Sequence, residues 1–93
     1  MKEWGFAQIL PTDQLAQLQF FSVMKPHAQG TVEFRITVYE YVRPPDPAMC
    51  FFAQADKQTN QKATAYTPAG WGRTLLEALE RCVREVNRFP YQG

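Results

Sequence analysis

The residue types able to do chemistry are few in this chain and stand far apart. His27 is the only histidine, so a metal site built from several imidazoles is excluded. It sits in Lys25-Pro26-His27-Ala28-Gln29-Gly30, a polar stretch of loop character where exposure to solvent is expected. A Cys/His nucleophile pair has to join His27 to Cys50 or Cys82. Both cysteines lie among apolar neighbours and neither belongs to a close pair, so each is expected to be a buried thiol. Asp13, Glu33, Glu40, Asp46 and Asp56 are scattered, with no local carboxylate pair suited to acid–base work. Gly70-Trp71-Gly72-Arg73-Thr74 sets glycines before a helix, a generic anion-holding arrangement, but it lacks the lysine of a phosphate loop. The expectation is a non-enzymatic protein with no cofactor and no metal.

Size and charge narrow the classes further. Ninety-three residues at 45% hydrophobic and 20% charged make one ordinary domain with a modest core. A formal net charge of +1 gives no general pull towards nucleic acid or an anionic membrane. The N-terminus lacks the basic start and apolar centre of an export signal, and no apolar run has bilayer length. A cytoplasmic protein without a membrane segment is expected.

The elements that must position any site are led by the C-terminal third. Thr74 stands as an N-cap with Glu77 three residues on, the spacing of a capping box. Leu75, Leu76, Leu79, Cys82, Val83 and Val86 fall on one stripe at helical spacing, and Pro90 ends the run. The spacing predicts a helix over residues 74–89, with Glu77/Arg81 and Glu80/Arg84 in favourable i, i+4 order. Upstream, residues 31–42 alternate as a strand, with Val32, Phe34, Ile36 and Val38 on one side and Glu33, Arg35, Thr37, Tyr39 and Tyr41 on the other. Residues 17–24 suit a strand through Leu18, Phe20, Ser22 and Met24, although Leu15, Leu18 and Phe21 also fit a helix. A third strand is expected at 49–56, after the Pro44-Pro45-Asp46-Pro47 connector. Residues 64–67 could add a short fourth. Residues 1–14, with Trp4, Phe6, Ile9 and Leu10, are expected to pack on the domain, including an edge strand near 4–9. The fold class is therefore α+β: one domain over residues 1–93, a three- to four-stranded antiparallel sheet with one C-terminal helix on one face.

The strands followed by Gly-Trp-Gly-Arg-Thr-Leu-Leu-Glu-Ala-Leu-Glu-Arg resemble the small HicB-like antitoxin domain, which ends its sheet with Gly-x-x-Thr-x-x-Glu-Ala before a helix. The resemblance rests on residues 70–80. It implies the same sheet-and-helix fold, and it implies oligomerisation and a small RNase toxin as partner.

One helix covers one face of such a sheet, and the other face is too aromatic to stand idle in water. The candidate interface there is Arg35, Tyr39, Tyr41 and one of Phe51 and Phe52, assigned to Phe51. Its cover is the N-terminal segment, a second copy of the chain, or a nucleic-acid strand stacking on the rings. The expected role is protein–protein contact with self-association, most simply as a homodimer; the alternative is single-stranded RNA binding. Arg81, Arg84 and Arg88 form a candidate basic helix face, although interleaved glutamates favour a plain solvated surface. Trp71 and Arg73 are a candidate loop site, the tryptophan either plugging the gap between sheet and helix or facing a ligand.

Overall fold

The central strand is the clearest product of alternation. In the computed structural model, which describes residues 3–28, 30–61 and 63–91, strand β1 spans Ala16–His27, β2 Gly30–Tyr41, β3 Phe51–Ala55 and β4 Ala69–Gly72, and helix α1 spans Leu75–Arg88. All neighbours pair antiparallel in the order β1-β2-β3-β4. Residues 1–2 of the N-terminal segment, residue 29 of the hairpin loop and residue 62 of the polar stretch lie outside the described residues. Val32, Phe34, Ile36 and Val38 of β2, Ala53 and Ala55 of β3, and Ala78, Cys82 and Val86 of α1 form the buried core. The expected α+β arrangement, an antiparallel sheet with the C-terminal helix on one face, is what the chain adopts.

Several boundaries move for identifiable reasons. β1 runs on to His27, and the predicted long loop shrinks to the two residues between His27 and Gly30. Pro26 is tolerated because its missing N–H falls on the side of β1 that has no neighbouring strand. Gly30 follows with φ of 127°, a conformation that glycine alone adopts easily. His27 is consequently half-buried, not exposed, with its ring 5.2 Å from that of Tyr91. β3 begins only at Phe51 because Asp46 folds the preceding segment into a turn: its carbonyl accepts from Met49 N at 2.8 Å and its carboxylate from Ala48 N at 2.8 Å. Cys50 ends up half-buried, not buried, and donates to the Pro47 carbonyl. The segment around residues 64–67 contributes a single bridge, Thr59↔Tyr66, in place of a strand. The N-terminal segment is not an edge strand. Glu3–Ala7 is a short 3-10 helix, and the following bonds, Gln8 N to Gly5 O and Asp13 N to Leu10 O, are local turns.

Helix α1 starts as its cap dictates. Thr74 accepts Glu77 N at 3.1 Å, while the Glu77 carboxylate reaches back to Arg73 N at 3.4 Å. Thr74→Ala is therefore expected to lower stability by about 1 kcal/mol; a denaturation midpoint equal to wild type would move the helix start elsewhere. The buried centre of the apolar stripe is Ala78, Cys82 and Val86, with Leu75, Leu79 and Val83 half-buried beside it. Leu76 does not share this face and is 70% exposed, because one residue turns a helix by about 100°. Leu79, at the rim, should lose about 2 kcal/mol on replacement by alanine, the low end for such a truncation.

The far end of the helix is capped from the sheet. Lys25 Nζ donates to the Val86 carbonyl at 3.0 Å and the Phe89 carbonyl at 3.5 Å. A cation there meets both the open carbonyls and the negative end of the helix dipole. At the near end, Gly70 and Gly72 let the helix backbone sit directly on β4. A Cβ at Gly72 would lie 2.5 Å from Ala78 N.

Candidate functional site

Register decides which side chains share the side of the sheet that α1 leaves uncovered, since residues directly opposite in an antiparallel pair project the same way. Tyr39 pairs with Leu18 and Phe52, Tyr41 with Ala16, and Phe52 with Trp71. These residues project opposite to the buried Val38, so they lie on the uncovered side. Tyr39 and Tyr41 stack at 6.1 Å, Tyr41 lies 5.9 Å from Trp71, and Phe52 lies 4.6 Å from Trp71 and 6.1 Å from Tyr39. Four rings thus form one continuous patch from β2 to β4. The Tyr41 hydroxyl titrates above its usual range, first because it is partly buried and second because Tyr39 stands beside it.

Two expectations are corrected by this geometry. Phe51 is not on the uncovered side: it pairs with Glu40 and Gly72 and packs against the core beneath the helix. Phe52 takes its place among the rings. Trp71 neither plugs the gap at the helix start nor stands on a loop; it is a β4 residue whose ring joins the patch. Arg73, beside it, is exposed and uses its backbone N–H to reach Glu77.

The other half of the uncovered side lies on β1. Leu18, Phe20 and Met24 alternate along it and are 44%, 73% and 66% exposed. Such exposure at Phe20 and Met24 means the N-terminal segment does not cover this part of the face. Phe6, Ile9 and Leu10 of that segment are themselves exposed. Arg35 points to the same side, with Nε 3.3 Å from the Glu33 carboxylate. Glu33 also accepts from Ser22 Oγ at 2.6 Å, and these bonds, the serine's first and the arginine's next, hold its carboxyl below the usual range.

Arginines of the helix are matched by glutamates. Arg81 lies 3.3 Å from Glu77 and donates to the Trp71 carbonyl at 2.7 Å; Arg84 pairs with Glu80; Arg88 lies 3.6 Å from Glu85. A surface of exposed, matched pairs offers little to a phosphate chain. At the helix N-terminus Thr74 takes the Glu77 N–H and the Glu77 carboxylate takes the Arg73 N–H, so a negative charge already stands at the glycine-rich turn where an anion would have to sit. Cys82 is buried and its thiol is pushed up to about 11 by that burial, which makes it inert as a nucleophile.

The two rims of the sheet differ. β4 is a four-residue edge whose Trp71 carbonyl is taken by Arg81. β1 is a twelve-residue edge paired on one side only. Sequence reasoning noted the alternation of Leu18, Phe20, Ser22 and Met24 but did not identify them as contact residues. The signal was there in the apolar Leu18, Phe20 and Met24 at every second position, interrupted by Ser22. The class of molecule is therefore an antiparallel meander of four strands backed by one helix, an α+β domain with one apolar side uncovered. No family model, no curated protein and no solved structure matches the chain.

Proposed function

We propose that this chain is a non-catalytic contact module that associates with a second copy of itself through the uncovered side of its sheet. The observation that supports this reading is that exposed Leu18, Phe20 and Met24, with Ser22 between the last two, share one side of the sheet with the ring patch of Tyr39, Tyr41, Phe52 and Trp71. Apolar surface of this kind is stabilised when a partner excludes water from it. The charge favours a protein over a nucleic acid: Arg35 on this side is matched by Glu33, and the net charge of +1 supplies no strong positive field.

Light scattering across a concentration series tests the reading. A dimer mass that persists in high salt is the expected result. A monomer that is retained on single-stranded RNA, and released as salt rises, would replace this reading with the nucleic-acid one.

A further inference from the structure

Strand β1 is unusual among edge strands for what it lacks. Natural sheets blunt a free edge with charge, proline, a bulge or brevity. β1 is twelve residues long and pairs with β2 in an unbroken register, so no bulge twists it away. From Ala16 to Met24 the sequence Ala-Gln-Leu-Gln-Phe-Phe-Ser-Val-Met holds no charged residue. Protection comes only at the end, with Lys25 and Pro26.

The hydrogen-bond phase identifies which residues face outwards. Val42 N donates to Leu15 O, so the odd-numbered residues of β1 exchange bonds with β2, and the even-numbered ones direct their N–H and C=O groups to the free edge. These are Ala16, Leu18, Phe20, Ser22 and Met24, followed by Pro26, which has no N–H. Their side chains lie on the uncovered side, because Phe21 and Val23 point to the core.

Resting on the self-association proposed above, we infer that the second copy docks at the β1 border of that uncovered side, by antiparallel pairing of β1 with its own counterpart about a two-fold axis at Phe20, which brings Leu18, Phe20 and Met24 against their counterparts. This register is singled out by the strand itself. Centred on Phe20, it pairs Leu18 with Ser22 and Ala16 with Met24 of the other copy, so all five outward-facing residues find partners and Pro26 falls beyond the pairing. Two bonds per pair make about ten main-chain hydrogen bonds, the number a stable interface carries. Across the join, the large Met24 meets the small Ala16 and Leu18 meets Ser22, while the two Phe20 rings meet at the axis. Uncharged strands approach without repulsion, and each contact occurs twice, as a two-fold interface requires. The result is a continuous eight-stranded sheet with both helices on one side.

The test compares variants of the full chain by light scattering, with far-ultraviolet spectra to check folding. Phe20→Pro removes the two N–H groups at the axis without touching the ladder to β2, and Phe20→Lys sets two like charges across it. Each is expected to stay folded and to weaken the dimer at least roughly tenfold, more than Tyr39→Asp with Tyr41→Asp one strand in from the edge, whereas Leu76→Ala on the exposed face of the helix is expected to leave the dimer mass unchanged. Cysteine pairs in a Cys50→Ser background read the register independently of mass. Phe20→Cys should cross-link to itself on oxidation, since about 5.5 Å between paired Cα atoms is within disulfide reach. Met24→Cys should cross-link rapidly only when mixed with Ala16→Cys. A wild-type monomer would overturn both the self-association reading and this one. A dimer that survives both Phe20 changes but dissociates with the tyrosine pair would overturn the edge pairing alone, and cross-linking indifferent to position would overturn the register.

Discussion

Phe34→Ala is expected to lower the stability of this domain by about 3–5 kcal/mol, the range for removing a fully buried ring. Phe34 is wholly inaccessible at the centre of β2, with the Tyr91 ring edge-on at 5.7 Å and Lys25 Nζ 5.9 Å above its own ring. It therefore joins the strand that carries the core, the hairpin strand that caps the helix, and the segment after the helix. None of these can collapse into the vacated space without breaking the Lys25 bonds to the helix end. A domain of this size has roughly 5–14 kcal/mol in total, so the loss is a large share of it. Urea denaturation should show a much lower midpoint with the slope unchanged. A midpoint within error of wild type would mean that the helix does not close over β2.

Gly72→Ala is expected to cost as much as a severe overpacking change, about 3 kcal/mol, although alanine adds one methyl group. That methyl would meet Ala78 N at 2.5 Å, Glu77 Cβ at 2.8 Å and Glu77 C at 3.0 Å. Two of those three atoms are main chain in the first turns of α1, so no side-chain rotation relieves the clash. The helix start must lift from β4, and the Thr74 cap and the Arg81 bond to Trp71 lift with it. Trp71 fluorescence should shift to the red as the midpoint falls. Leu76→Ala is the comparison: one helix residue exposed to solvent, its truncation should change the midpoint little. If Gly72→Ala unfolds at the wild-type denaturant concentration, the close approach of helix and strand is wrong.

Both predictions turn on distances that local sequence does not carry, and the boundary between what is local and what is not runs through the whole molecule. The helix was legible because its determinants lie within a few residues of one another: Thr74 and Glu77 at its start, the 3.6-residue apolar stripe, Pro90 beyond its end. β2 was legible because a strand buried on one face must alternate, and residues 31–42 do so almost without fault. From these two elements alone the chain had to be α+β, with the helix laid on the Val32, Phe34, Ile36 and Val38 side. The uncovered tyrosine side followed, since the same alternation that buries one set of residues exposes the other.

Tertiary structure decided the rest, because it depended on register and close approach. Two adjacent phenylalanines, Phe51 and Phe52, carry no period, and only pairing with Glu40 and Tyr39 sent the first to the core and the second to the ring patch. Ala69–Gly72 has no strand-forming pattern; it is a strand because glycine at positions 70 and 72 leaves room for α1 against its backbone. Trp71 then had one direction left, away from the helix and onto Phe52. His27 and Lys25 read as loop until pairing with Gly30 and Val32 extended the hairpin and brought the lysine to the helix end. The free edge of β1 is the last such case: its uncharged sequence is local, but which of its N–H groups face outwards depends on the strand beside it.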